Sequence, residues 1–390
     1  CSGHSTILTG VRPGRNGIIA NNWFDPSATR ADKRVYCAED VTDPASTSRD
    51  PVVSARNLKV PTLGEWLKAA WPTSRNVAVS AKDRAVVMMG GHRIDAGYWL
   101  KGPAFTSFRG VELSPAARAQ NAAITALVAK GAKPMIVPAW CAARNHAVAV
   151  GKGSVGTGRF ALEKGKPEGL RASPYMDSFT VDLATRLLDE QQLGRDSAPD
   201  VLSVSLSATD YVGHALGNNG AEMCIQMQHL DQVIGRLFAA LDKRKLDYAV
   251  VLTADHGGLD TPERSDEQAL PRAVRADKAL MPAEMGKAIS ARTGISAKEG
   301  PLLYGDGPFG DIYVNRSLSA AQRATVVKEL VALTKAHPQV AAVFTAEELA
   351  KTPMPSGSPQ EWSLKDRARA SFDAERAGDV LLLLDREVTP

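Results

Sequence analysis

Two pairs of carboxylate and imidazole side chains have the chemistry of metal ligands. Asp210 and His214 follow one apolar run of the chain, and Asp255 and His256 follow the next. Carboxylate oxygen and imidazole nitrogen are common ligands of zinc and manganese in proteins. A lone Asp in such a place more often caps a helix or turn, and a lone His more often lies at the surface or in a hydrogen bond. Two such pairs after two successive apolar runs favour metal binding.

Two cationic side chains, Lys82 and Arg84, flank Asp83 and form a second candidate site. In an extended backbone, alternate side chains point to the same side, so Lys82 and Arg84 are expected to lie together. Such a pair can bind the nonbridging oxygens of a phosphoryl group, Arg through its planar fork and Lys as a point charge. Taken alone, the same residues also fit a solvated charged turn.

The first residues of the chain are small and polar and give a weaker signal. They could open a helix, whose first backbone N–H groups favour an anion. Ser2 or Ser5 alone is weak evidence for a nucleophile. Asn21 alone most simply forms a turn.

The elements that must position these groups are a strand, a helix and a second strand. The apolar run 201–206 follows a turn signal and predicts a buried strand. Apolar residues then recur at three- and four-residue steps over 223–241, which predicts one buried face of a helix. The run 248–253 predicts the second buried strand. This order predicts an α/β fold with a parallel sheet, which binds ligands beyond the carboxyl ends of its strands.

Weaker patterns predict further elements. Short strands are expected at 76–81, 85–89, 134–137 and 311–314, and helices at Pro115–Lys130 and 179–190. Ser319 and Gln322 form a capping box for a helix that ends near Lys335. Together with Val343 and Phe344, the strand at 311–314 and this helix predict a smaller α/β subdomain.

Composition bounds the protein class. Hydrophobic residues make up 44% and charged residues 23%, which is ordinary for a globular protein. The length of 390 residues suffices for one large α/β domain or two ordinary ones. The net charge is +4, but the 47 basic residues are scattered, so no nucleic-acid-binding arm is expected. The longest apolar runs are too short to cross a bilayer, so no membrane insertion is expected.

The cysteines do not form a metal motif. Cys1, Cys37, Cys141 and Cys224 lack C-x-x-C spacing. They allow two disulfides in an oxidising compartment, and their spacing neither requires nor excludes these bonds.

Four segments together resemble the alkaline phosphatase superfamily: 1–23, 79–91, 206–217 with LSATDYVGH, and 252–258 with LTADHGG. The resemblance is closest to the nucleotide pyrophosphatase/phosphodiesterase-like branch, and within it to bacterial alkaline phosphatases with a threonine nucleophile. It implies a three-layer αβα fold with a central, mostly parallel sheet. One catalytic domain is expected over residues 1–390, with smaller inserted α/β segments at about 93–175 and 259–375.

The resemblance also implies a metal site. Asp210 and His214 are expected to bind one zinc ion, and Asp255 and His256 a second. The threonine nucleophile is expected one position before Cys1. Another aspartate ligand is expected further upstream, and a histidine ligand after the last residue. The chain is therefore expected to be cut at both ends.

Three further residues acquire roles from the resemblance. Asn21 resembles the asparagine that holds a phosphoryl oxygen beside the nucleophile. Lys82 and Arg84 resemble the pair that marks monoesterases and that diesterases of the branch lack. The expected activity is hydrolysis of phosphate monoesters through a phosphothreonine intermediate, with weaker phosphodiesterase activity, on small-molecule substrates. The resemblance implies a periplasmic or secreted location; the physiological substrate and oligomeric state do not follow from the sequence.

Other functions fit part of the pattern. A phosphodiesterase or nucleotide pyrophosphatase of the same fold is the first alternative, against which Lys82 and Arg84 argue. A sulfatase lacks its C/S-x-P-x-R motif here, and a serine hydrolase lacks its G-x-S-x-G elbow. A catalytically silent domain that binds phosphorylated ligands is the alternative outside the enzymes.

Overall fold

The structure is a computed structural model that describes residues 1–267 and 273–390. Within these residues the helices are α1 (Ser2–Thr9), α2 (Pro13–Asn16), α3 (Leu63–Ala70), α4 (Asp83–Gly90), α5 (Pro115–Lys130), α6 (Tyr175–Glu190), α7 (Ala208–Leu216), α8 (Ala221–Lys243), α9 (Pro262–Glu267), α10 (Pro282–Thr293), α11 (Ala320–Lys335), α12 (Ala346–Lys351) and α13 (Leu364–Ser371). No helix of this part of the chain has the length and apolar character that a membrane span requires.

The strands of the described residues are β1 (Asn22–Phe24), β2 (Arg34–Tyr36), β3 (Asn76–Ser80), β4 (Ala96–Lys101), β5 (Ala104–Thr106), β6 (Val148–Val150), β7 (Gly153–Val155), β8 (Val201–Ser205), β9 (Val274–Arg275), β10 (Leu303–Tyr304), β11 (Gly310–Val314), β12 (Val340–Thr345), β13 (Val380–Leu384) and β14 (Val388–Thr389).

The chain divides into two compact units. Unit 1 comprises Cys1–Val52, Arg56–Val60 and Pro271–Pro390, and unit 2 comprises Val53–Ala55 and Pro61–Leu270. The expected single catalytic domain with inserted segments stays a prediction.

Unit 2 contains a mostly parallel sheet with the strand order β5–β4–β3–β8. Strand β3 is parallel to both β4 and β8, and only β5 runs antiparallel to its neighbour. On one face, Val77 and Val79 of β3 belong to a buried core with Ile124 of α5 and Leu183 of α6. Helix α4 contacts β3, β4 and β8. Its Val86 lies beside Gly97 of β4, which pairs with Ala78 of β3. Ala78 and Val77 are consecutive in β3 and therefore belong to opposite faces of the sheet, so α4 lies on the face opposite Val77. Helices therefore cover both faces, which confirms the three-layer α/β prediction.

Local sequence signals set several helix ends in the predicted places. Helix α5 has the predicted bounds, because Ser114 accepts a hydrogen bond from the Ala117 nitrogen at 3.3 Å and Pro115 occupies the first turn. Helix α11 begins at the predicted capping box, in which Ser319 and Gln322 bond each other's main-chain nitrogens.

The prediction of a buried strand at 248–253 is wrong. These residues have no regular structure, and Val251 and Leu252 are 88% and 74% exposed. A strand needs a neighbouring strand to satisfy its N–H and C=O groups. Among the described residues no strand pairs with this run, so its apolar character alone does not make it a strand.

Two shorter strand predictions are also wrong. Residues 85–89 lie inside α4, where Val86, Val87 and Met88 are all fully buried. A short apolar run that is buried on every side has the same pattern in a helix and in a strand, so periodicity does not separate them. Residues 134–137 have no regular structure, and Ile136 is 86% exposed, so the run lacks the packing that stabilises a strand.

Unit 1 contains an antiparallel sheet with the strand order β10–β11–β13–β12. Its core includes Ile312 of β11, Leu330 of α11 and Leu382 of β13. The smaller α/β arrangement predicted from 311–314 onward is thus present in this unit.

Candidate metal centre

The first predicted ligand pair lies on one face of helix α7. Asp210 is in the first turn and His214 one turn later, so their side chains are neighbours. The His214 Nε2 atom lies 3.3 Å from Asp210 Oδ1. The helix begins where the main-chain nitrogen of Ala208 donates to Asp177 Oδ1 at 2.9 Å. Asp177, a fully buried residue of α6, therefore satisfies one of the N–H groups that a helix start leaves without an acceptor.

The second predicted pair reaches the same place from an irregular segment. His256 Nε2 lies 3.4 Å from Asp210 Oδ1 and 3.6 Å from Asp255 Oδ2. The structure therefore brings together all four predicted ligands. Asp210 stands between the two imidazoles.

The distances between the donor atoms are of the size expected between ligands of a metal ion. Two ligands of one tetrahedral zinc ion, each about 2.0–2.1 Å from the metal, are separated by roughly 3.3 Å. The nitrogen–oxygen distances of 3.3, 3.4 and 3.6 Å are close to this value. Across residues 1–267 and 273–390, however, no group of three or more His, Cys, Asp or Glu side chains is arranged to hold one ion. The four residues fit a metal in kind and spacing, and each ion would need further ligands.

The two predicted phosphate-binding cations lie at the start of helix α4. Lys82 is the residue before its first turn and has an extended backbone, whereas Arg84 is inside the helix. The prediction that both side chains extend from one side of an extended strand is therefore wrong, because the helix begins between them. The Lys82 ammonium bonds Asp210 Oδ2 and lies 4.6 Å from the centre of the Tyr211 ring. This places a cation directly against the carboxylate cluster.

Burial and charge act in opposite directions on this ion pair. Burial acts to raise the pKa of the Asp210 carboxyl, but the hydrogen bond and charge of Lys82 outweigh it and hold that pKa below its ordinary value. Burial lowers the pKa of the Lys82 ammonium, against the opposing effect of Asp210. Asp210 is consequently ionised at neutral pH, as a metal ligand must be.

Asn21 lies in unit 1, where two bridged cysteines hold it. The main-chain nitrogen of Cys1 lies 2.8 Å from Asn21 Oδ1, and the Cys37 nitrogen donates to the Asn21 carbonyl oxygen at 2.9 Å. Cys1 and Cys37 form a disulfide. Asn21 is therefore fixed beside the main-chain nitrogen of Cys1.

Sequence reasoning missed two residues that support the site. Asp177 is a buried acid in a helix whose other buried residues, apart from Thr180, are apolar, and that anomaly is the signal that could have identified it. Tyr211 follows a predicted ligand directly, but nothing in the sequence shows that its ring lies under Lys82.

Comparison with known proteins identifies the family of the chain. The sequence profile of the type I phosphodiesterase / nucleotide pyrophosphatase family matches residues 1–390. Alkaline phosphatase PhoK of Sphingomonas sp is 48% identical over 389 residues, which cover 100% of this chain and 69% of PhoK. Alkaline phosphatase PhoD of Zymomonas mobilis is 44% identical over 397 residues, which cover 100% of this chain and 68% of PhoD. The crystal structure of wild-type alkaline phosphatase PafA superposes with a TM-score of 0.83 at 25% identity, covering 99% of this chain and 76% of PafA. The chain therefore belongs to the type I phosphodiesterase / nucleotide pyrophosphatase family, in its alkaline phosphatase branch.

Proposed function

We propose that this phosphatase hydrolyses phosphate monoesters at a two-zinc centre that includes Asp210, His214, Asp255 and His256. One observation carries the proposal: Asp210 lies within 3.4 Å of imidazoles from two separate chain segments. Relatives named alkaline phosphatase at 44% and 48% identity support the enzyme class. The family's printed name also includes phosphodiesterases, so weaker diester hydrolysis is part of the proposal.

The roles of the residues follow from charge and position. When bound, two metal ions provide an activated nucleophile and stabilise the charge on the leaving oxygen. Lys82 and Arg84 would bind the outer oxygens of the phosphoryl group, where charge resides in a loose transition state. Asn21 would hold a phosphoryl oxygen beside the threonine, and a phosphothreonine would form and then be hydrolysed.

The disulfides of the structure support a proposal about the cellular compartment of the enzyme. Cys1 bonds Cys37 and Cys141 bonds Cys224, so all four cysteines form disulfides. Disulfides persist in oxidising compartments. This supports the proposal that the enzyme is periplasmic or secreted.

The test uses the full-length protein. Metal is removed with a chelator and zinc is restored, and rates are measured with p-nitrophenyl phosphate and bis(p-nitrophenyl) phosphate. We expect two zinc ions per chain and activity that depends on them. Asp210→Asn should lose bound zinc and at least about 100-fold in monoester rate, because one ligand of the centre is removed.

A matched Asp–His pair in unit 1 provides the control. His337 Nε2 lies 3.4 Å from Asp277 Oδ2. Asp277→Asn should leave zinc content and rate at the wild-type level. Full activity without metal, or equal effects of the two substitutions, would contradict the proposed centre. A preference for the diester would instead identify the enzyme as a phosphodiesterase.

A further inference from the structure

The two ligand-bearing segments are tied together a short distance beyond their histidines. Asn218 lies four residues after His214, and Asp260 lies four residues after His256. Asp260 Oδ1 accepts hydrogen bonds from the main-chain nitrogens of Asn218 at 2.8 Å and Asn219 at 3.3 Å. Asn218 Nδ2 also donates to the Leu259 carbonyl oxygen at 2.6 Å. All three donors therefore lie in the segment after His214, and both acceptor residues lie in the segment after His256.

A buried ion pair completes this connection. Arg264 Nη1 lies 2.6 Å from Asp260 Oδ1, and the side chains are 3% and 6% exposed. Arg264 belongs to α9 and also donates to the Leu216 carbonyl oxygen at 3.4 Å. We refer to Asn218, Asp260 and Arg264 as the latch. A charge-assisted bond in such a buried position is stronger than one between neutral groups.

The latch side chains pack against glycines, at which any larger residue would place a Cβ too close to them. Gly217 has φ +81°, and a Cβ there would lie 2.5 Å from Asp260 Oδ1 and 2.6 Å from Arg264 Nη1. A Cβ at Gly258 would lie 2.6 Å from Asn218 Nδ2, and one at Gly220 would lie 2.7 Å from Arg264 Nη2. The latch therefore explains the glycine-rich stretch after His214, which the metal site itself does not.

The latch matters because it joins the second ligand segment to the end of helix α7 and to the loop that follows it. Among the described residues no strand pairs with 248–258, and His256 is 55% exposed on its side chain. Helix α7, in contrast, begins at a buried carboxylate. The separation between the two ligand pairs therefore depends on the contacts between their following loops.

We propose that Asp260 is a positioning residue, which through the latch sets the distance between Asp210 with His214 and Asp255 with His256. The inference rests on the proposed function, because it assigns those four residues to one metal centre. Asp260 does not touch the reacting groups. It acts by holding Asn218 and Arg264.

The experiment compares two pairs of variants in the full-length protein. Gly217→Ala places a methyl group against the latch, whereas Gly102→Ala introduces the same left-handed backbone strain (φ +64°) where nothing lies within 4 Å. Asp260→Ala removes the acceptor. Asp260→Asn keeps an oxygen that can accept the three hydrogen bonds that Asp260 Oδ1 accepts. It replaces only Oδ2, which has no hydrogen-bond partner in the described structure.

The first measurement is zinc affinity, by competition with a chromophoric chelator, at a temperature at which every variant is folded. We expect Gly217→Ala and Asp260→Ala to weaken zinc binding about 10- to 100-fold, as loss of a residue that orients metal ligands typically does. Gly102→Ala should bind zinc like the wild type, and Asp260→Asn should lie between the wild type and Asp260→Ala.

The second measurement needs no metal and no activity. Hydrogen exchange in the metal-free protein should accelerate at Asn218 and Asn219 in Asp260→Ala, and remain unchanged there in Gly102→Ala. Wild-type protein that binds no zinc overturns the proposed function. If the wild type binds zinc but the latch variants match Gly102→Ala in zinc affinity and hydrogen exchange, the proposed role of the latch is wrong and the proposed function stands.

Discussion

Replacement of Lys82 by Met tests how the site distinguishes monoesters from diesters. The Lys82 side chain is only 8% exposed, and its ammonium bonds Asp210. Methionine keeps the apolar stem and removes the charge, so the packing beside Tyr211 is largely retained.

The expected magnitude follows from the burial of Lys82. An effective dielectric constant of about 20 describes charge interactions best even at buried sites, and two unit charges about 4 Å apart then interact by roughly 4 kcal/mol. A monoester dianion carries one more negative charge than a diester, so it loses more when the ammonium is removed. We expect kcat/KM for the monoester to fall about 100- to 1000-fold. The ratio of monoester to diester kcat/KM should fall at least about tenfold, or roughly 1.4 kcal/mol.

The assay measures kcat/KM with p-nitrophenyl phosphate and bis(p-nitrophenyl) phosphate at saturating zinc. Lys68→Met is the matched control, because Lys68 is also mostly buried, at 12% exposure, and bonds Asp95 at 2.7 Å. It should leave the ratio of the two substrates unchanged. Equal losses on both substrates in Lys82→Met, or the same change of ratio in Lys68→Met, would refute the assigned role.

Two further predictions concern stability. Burial raises the pKa of Asp177 to about 6 from its ordinary 3.8. As the pH falls, the folded state therefore binds a proton at Asp177 before the unfolded state does. The free energy of unfolding of the wild type should consequently rise by on the order of 3 kcal/mol as pH falls from about 6 to about 4. Asp177→Asn does not titrate and should lack this gain, so a difference in unfolding free energy between the two proteins that stays constant over this pH range would contradict the argument. The Cys141–Cys224 disulfide spans 83 residues, and replacing both cysteines by serine should cost about 4.5 kcal/mol in chemical denaturation by the loop-entropy relation. A loss below about 1 kcal/mol would show that the unfolded chain is not restricted by this bond.

Elements with local signals could be predicted from the sequence. Helices α5 and α11 carry a cap and a first turn that specify their starts, and the strand at 201–206 has a turn signal before it. The convergence of the four candidate ligands could also be predicted, because the resemblance assigned them to one centre.

The remaining features depend on contacts that no local pattern contains. Helix α4 and the run 248–253 are both short and apolar, and only the neighbours of each decide between helix, strand and irregular structure. The bond from Asp177 to Ala208 joins residues 31 positions apart, and the bond from Asp260 to Asn218 spans 42. Long-range polar contacts of this kind follow from the tertiary fold, so the sequence predicted the candidate ligands and not the contacts that hold them in place.

The order of the segments along the chain determines which of the two units is completely synthesised first. Nearly all of unit 2 is one continuous stretch, Pro61–Leu270, whereas unit 1 joins the first residues to Pro271–Pro390. At a synthesis rate of about 5–20 residues per second, the 120 residues of Pro271–Pro390 take roughly 6–24 s to add. During that interval unit 2 already has its whole sequence, while strands β10 to β13 are still being made. The sheet of unit 2 can therefore begin to form before the sheet of unit 1 exists.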